Sequence, residues 1–263
     1  MRDKVLKPIG RRTGHFVWRN HELLRIEAFS DAVIAFAVTL TIVSLEVPVT
    51  FHELLEGMKG MVGFGICFTF LFLIWYKQYL FFRYFGLRDR TTVVLNAVLL
   101  FVVLFYVYPL KFLFSILAGG SIQVEHNGEI INRIASGNEM QQLMVVYSAG
   151  FMAVYLMLFF LYHHAWHNRN ELHLSKVELF NLKTELYEDV LMMATGAVSI
   201  SVALILPENA SSSAGMVYIL IGPAISIFHS IRIRMLKKSV TEQQLEEHAM
   251  AVDKSKSNKH TIS

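Results

Sequence analysis

The chain is short of what a secreted or catalytic domain relies on. It has a single cysteine, Cys67, set in an apolar run, which excludes an intrachain disulfide framework and leaves a packed thiol. No His-Glu-x-x-His or Gly-x-Ser-x-Gly spacing occurs, so the hydrolase chemistries that those spacings serve have no support. No uncharged run precedes residue 26, which argues against a cleaved secretory signal. Metal-ligand spacing is equally thin. His163, His164 and His167, with Glu171 one turn on, offer an i, i+4 pair without a fourth ligand and read as polar residues at a membrane exit. No metal and no cofactor are expected.

What is abundant is apolar material. Of 263 residues, 54% are hydrophobic and 13% aromatic, with a mean hydropathy of +0.44, more than a soluble domain of this size needs. This is the composition of an all-α integral membrane protein. Six runs approach the roughly 20 residues that a bilayer core requires. They are Ile26 to Val47, Val62 to Phe82, Thr92 to Leu117, Leu143 to Tyr162, Val190 to Leu206 and Met216 to Ile231.

The connections alternate in charge. Arg83, Arg88 and Arg90 lie between runs two and three, Arg169, Lys176 and Lys183 between four and five, and Arg232, Arg234, Lys237 and Lys238 after six. The opposite connections carry Glu53, Glu56, Glu125, Glu129, Glu139 and Glu208 against Lys59 and Arg133. The positive-inside rule then places both termini in the cytoplasm. Residues 1–25 form a basic arm with Arg2, Lys4, Lys7, Arg11, Arg12, Arg19 and Arg25 against Asp3 and Glu22. Such an arm sets topology and touches anionic lipid; nucleic acid is not an expected partner. Residues 26–235 make the membrane domain and 236–263 a cytoplasmic tail. In that tail Ser239-Val-Thr-Glu242 resembles a capping box before a short helix over Gln243 to Ala251. Between runs, Ala118 to Glu139 contains Gly-Gly and Asn-Gly turn signals, and His163 to Asp189 suits a cytoplasmic amphipathic helix.

The first run is unlike the others. From Ala32 to Leu45 it has no charge, yet it is entered through Arg25, Glu27, Ser30 and Asp31. Asp31 lies six residues past Arg25, about 9 Å further along a helix axis. A carboxylate at that depth is costly against lipid, so it is expected to face inward and to be hydrogen-bonded. Ser30-Asp31 also fits an ordinary N-cap for a helix starting only there. Against this, Arg25, Phe29, Ala32 and Phe36 already follow a helical row. Beyond Asp31, Phe36, Thr39 and Val43 recur at i, i+3, i+7 with Leu40 beside them, a spacing that suits a packed face as well as a pore-lining one. Lys77 and Lys111, near run ends, read as snorkelling side chains, and Asp31 as the one acid well inside a run.

The pattern Arg25-x-x-x-Phe29-Ser30-Asp31 resembles the signature of the transmembrane protein 175 family of potassium-permeable channels. Trp75 late in run two, Asn96 early in run three and Pro109 near its end resemble further family features in the same order. The likeness covers about residues 20 to 235. It implies six transmembrane helices per subunit, the first lining a central pore. One signature per chain, with no second Phe-Ser-Asp, implies a homotetramer in a prokaryotic plasma membrane. The permeant ions implied are potassium and other monovalent cations.

Carried over by position, the family's constriction falls on Phe36, Thr39 and Val43, with Leu40 adjacent. Rings of apolar side chains would exclude water while Thr39 hydroxyls offer oxygen ligands. No Thr-Val-Gly-Tyr-Gly filter is present, so moderate selectivity is implied. Arg25, Phe29, Ser30, Asp31, Trp75, Gln78 and Asn96 would form a polar network holding the first helices; Asn96 and Trp75 equally suit generic interhelical bonding and packing. Two positions depart from the family. Phe36 replaces an aliphatic residue, and Gln78 replaces a histidine three residues after the tryptophan, so it bonds but cannot titrate. A secondary transporter is the rival, yet the paired broken helices of two related halves are not evident; Ile221-Gly-Pro-Ala224 and Pro109 show no repeat.

Overall fold

The first helix begins two turns earlier than an Asp31 cap requires. In the computed structural model α1 spans Arg25–Ile42, and the Glu27 carboxylate accepts the Leu24 amide at 2.9 Å, satisfying a donor that a helix start leaves open. Asp31 therefore sits on the helix rather than capping it. The structure describes residues 12–13, 16–17, 24–42, 50–117, 123–126, 129–132 and 137–235. Val43 and the tail helix over residues 243–251 fall outside these.

Each later helix has a local reason for its ends. The second, α2, spans Phe51–Phe85, longer than the apolar run alone suggests. It stops at Gly86, whose φ of 58° suits a residue without a Cβ and whose amide donates to the Phe82 carbonyl at 2.9 Å. Three residues on, Asp89 caps α3 (Arg90–Leu117). Its carboxylate accepts from the Thr91 amide at 3.1 Å, the Thr92 amide at 3.3 Å and the Thr92 hydroxyl at 2.6 Å. Pro109 lies inside α3.

The excursion after α3 holds paired strands that its turn signals only hinted at. Two short strand pairs occur: β1 (Arg12–Thr13) with β2 (Phe16–Val17), and β3 (Gln123–His126) with β4 (Glu129–Asn132). Both are antiparallel, with Val124 opposite Ile131 in the second. Helix α4 spans Gly137–His167. A turn over residues 168–173 leads to α5, Lys176–Ile205. At its start the Ser175 side chain accepts the Glu178 amide and the Glu178 carboxylate accepts the Ser175 amide, a capping box. This corrects the expected separate amphipathic helix: residues 176–189 are the first half of α5, because the box starts a helix that nothing interrupts before Leu206-Pro207. A 3₁₀ segment, Glu208–Leu220, precedes a last helix, α6, over residues 221–235.

Among the described residues, five stretches are long and apolar enough to cross a membrane: Gly63–Phe85, Arg90–Leu113, Gly137–His167, Lys176–Ile205 and Ser213–Met235. Over its described length α1 falls short because Arg25, Glu27 and Asp31 occupy its first two turns. The chain divides at residue 219/220 into two compact units. In the first, α1 packs on α2 and α3, α3 on α2 and α4, and α4 on α5. Its core is aromatic at one end, where the Tyr162 ring meets Phe81 and Phe85 edge-on with centroids 5.4 and 6.0 Å away. Gly150 lets α4 approach α3: a Cβ there would lie 2.2 Å from the Tyr106 ring. In the second unit, Ser226 and Ser230 bond back to the Gly222 and Ser226 carbonyls of α6.

Candidate functional site

Helix α1 has two faces of different character. Glu27, Ser30, Ile34, Ala37 and Thr41 are buried against the rest of the chain. Arg25, Phe29, Ala32, Phe36, Thr39 and Leu40 are exposed along the opposite row, with Phe29 at 61% and Phe36 at 57%. The i, i+4, i+7 order read from the sequence therefore marks one continuous uncovered stripe. Within it the Thr39 hydroxyl donates to the Ala35 carbonyl at 2.9 Å, which leaves the oxygen's lone pairs free.

On the buried side, the sequence-predicted polar residues divide into two groups. Gln78 donates its amide to the Asn96 side-chain oxygen, and Asn96 donates to the Ser30 hydroxyl at 2.9 Å. Ser30 passes the bond on to the Ile26 carbonyl at 2.8 Å. All three side chains are almost wholly buried, so this chain of neutral bonds ties α2, α3 and α1 together away from water. Separately, the Trp75 indole donates to Asp31 at 2.7 Å. Asp31 and Trp75 sit at the edge of a groove of about 400 Å³ between α1 and α2, walled by Ile34, Ala35, Val38, Phe68 and Phe72. Arg25 and Phe29 join neither group within one chain; both point outward on the exposed stripe.

Sequence reasoning missed a stronger cluster. Lys77 does not snorkel; its ammonium lies 2.6 Å from Asp189, 3.3 Å from Glu185 and 3.4 Å from Glu188. It is 14% exposed, Asp189 is fully buried, and the Tyr155 and Tyr162 rings lie within 6 Å. Asp31 is thus not the one acid deep in a helix. The signal was there: Glu185, Glu188 and Asp189 fall at i, i+3, i+4, and the Ser175-x-x-Glu178 box places them well inside a helix. At the far end of α2, Asp89 pairs with His164 at 2.8 Å, and His164 also meets Asn168 at 3.1 Å. Burial alone would raise the Asp89 carboxyl. The Thr92 hydroxyl and amide and the neighbouring His164 outweigh it and hold the carboxyl below its ordinary value. His164 is thereby committed to Asp89, and among the described residues no cluster suited to a metal occurs.

Known proteins resemble this chain in sequence and fold. Residues 25–106, which hold α1, Trp75, Gln78 and Asn96, match the family described as the endosomal/lysosomal potassium channel TMEM175. A potassium channel of Marivirga tractuosa is 34% identical over 236 residues, covering 87% of this chain and 95% of the relative. The crystal structure of a threonine-to-alanine variant of the potassium channel MtTMEM175, bound to a nanobody–MBP fusion, superposes with a TM-score of 0.70 at 34% identity. It is covered completely, by 86% of this chain. A lysosomal potassium-selective channel TMEM175 homologue from Chamaesiphon minutus shares the fold at 20% identity and a TM-score of 0.51, over 79% of this chain and 96% of that one. With its helical membrane fold, its match to the family over residues 25–106 and its 34% identity to a potassium channel over 87% of its length, the chain belongs to the TMEM175 family.

Proposed function

We propose that the protein is a potassium-permeable, moderately selective cation channel in which four chains bring their first helices around a central axis. The observation that carries this reading is the uncovered stripe of α1. A row holding an arginine, two phenylalanines and a threonine is an odd surface to offer to lipid, but it suits a constriction lined by its own copies. Phe36 and Leu40, with Val43 beyond them, would form apolar rings that exclude water, and Thr39 would turn free lone pairs to a partly dehydrated ion. The Ser30–Asn96–Gln78 chain would hold α1 from behind, while Arg25 and Asp31, exposed in one subunit, are available to a neighbour. The basic connections favour cytoplasmic termini, and the single signature favours a prokaryotic plasma membrane. Potassium-channel relatives favour a channel over an enzyme or a coupled transporter.

The test is the reversal potential of purified tetramers in a planar bilayer with potassium on one side and sodium on the other. Current reversing toward the potassium equilibrium potential, with unitary conductance raised in Phe36→Ala, is the expected result. Silence from demonstrably inserted wild-type tetramers, or slow saturable uptake without current steps, would move the assignment to a transporter.

A further inference from the structure

The turn between α4 and α5 holds a pair of cations that the site above does not use. Trp166 is the second-last residue of α4 and ends the apolar stretch Gly137–His167, the position at which a tryptophan ring lies at headgroup level. Two cations share that ring. The Arg169 guanidinium, from the turn, and the Lys183 ammonium, from α5, each lie 5.0 Å from its centroid. The two like charges are therefore no more than twice that distance apart, about one screening length of roughly 10 Å at 0.1 M salt. Among the described residues, which include the whole turn and both helices, neither cation pairs with a carboxylate. Glu178 is taken up by the capping box, and the exposed Glu171 pairs with neither. Arg169 donates one Nη1–H to the Trp166 carbonyl at 3.1 Å, which orients the guanidinium while its remaining N–H groups meet no acceptor among the described residues.

Lys183 also heads an uncovered row. Tyr187, Val190, Ala194 and Val198 follow it at i+4, i+7, i+11 and i+15, and all are exposed. The row is about 22 Å long. That is enough for a headgroup and a tail reaching the middle of a hydrocarbon core about 30 Å thick. From this we infer that the α4–α5 turn binds one anionic phospholipid. Arg169 offers its planar fork to the phosphate oxygens, Lys183 offers a point charge, and the α5 row takes an acyl chain. The anion relieves the repulsion between two cations that one ring brings together. This inference rests on the membrane fold and not on the pore, so it stands or falls apart from the channel reading.

The test is native mass spectrometry of the full-length protein in neutral detergent, titrated with phosphatidylglycerol, phosphatidylcholine or inorganic phosphate. Wild type should bind phosphatidylglycerol more tightly than phosphatidylcholine. Arg169→Gln/Lys183→Gln should weaken phosphatidylglycerol about thirty-fold, from about 1 kcal/mol for each basic residue at an anionic surface, and should leave phosphatidylcholine unchanged. The control, Arg88→Gln/Lys176→Gln, removes the same charge from the same membrane side without touching Trp166, and should keep the wild-type affinity. A merely structural pair of cations would alter folding without altering the preference between the two lipids. Equal affinity for both lipids in wild type, or an equal loss in the control, overturns the inference. Inorganic phosphate that displaces phosphatidylglycerol at millimolar concentration would assign the pair to a free anion and overturn the lipid as its source. If the double variant does not fold, the exposed Lys183→Gln replaces it, with a loss of about five-fold expected and an unchanged affinity equally fatal.

Discussion

Two polar clusters share helix α2 at adjacent residues and are built on opposite principles. Gln78 leads to Asn96 and Ser30 through neutral hydrogen bonds, whereas Lys77 is held by Asp189, Glu185 and Glu188 through charge. Successive residues on a helix point about 100° apart, so one cluster faces α1 and α3 and the other faces α4 and α5. The charged cluster staples helices inside one subunit, where one amine serves three acids and burial makes every partner count. The neutral one stands behind the exposed stripe of α1 and joins three helices without a net charge.

The comparison can be broken from its strong side first. Lys77→Met leaves the fully buried Asp189 carboxylate without its ammonium and should cost about 3–5 kcal/mol of stability. This is read as a lowered thermal midpoint in detergent, and adding Asp189→Leu should recover part of the loss. If Lys77→Met unfolds like wild type, the charged staple is not what holds α2 to α5. On the neutral side, Asn96→Leu removes the central partner of both Gln78 and Ser30 and should cost about 1–3 kcal/mol. Denaturant titration of the same detergent samples would rank the two, and a larger loss for Asn96→Leu would reverse the stated order. The smallest effect belongs to the Asp89 cap, where Asp89→Ala should cost about 1 kcal/mol. Because the folded carboxyl titrates below its ordinary value of 3.8, its contribution is complete above that value and is lost as pH falls through the lowered one. The gap between wild type and Asp89→Ala should close on acidification; a gap that persists in strong acid would assign the effect to packing.

How far the sequence alone reached follows the same division. Charge-free runs and alternating basic connections revealed the helical membrane class, since both answer to bilayer physics rather than to a particular neighbour. The row of Arg25, Phe29, Ala32 and Phe36 carried the helix upstream of Asp31 because helical period is local, and the structure adds that this row is the exposed face of α1. Asn96 and Gln78 came through resemblance, and the structure brings them to Ser30, while Trp75 goes to Asp31 and Arg25 to neither. The Lys77 cluster was lost for a physical reason. Its acids lie more than a hundred residues away, on a segment whose charges resemble a loop until the capping box at Ser175 is given its weight. Periodicity reports which face is apolar, not which distant helix will supply a counter-charge.

The adjacency of Lys77 and Gln78 also has a mechanical meaning. A helix gripped on two sides about 100° apart cannot roll about its own axis without pulling at least one grip out of reach. With the Lys77 side closed by bonds as short as 2.6 Å and the Gln78 side by direct side-chain contact, α2 is keyed against rotation about its own axis, and turning it would break the charged grip or the neutral one.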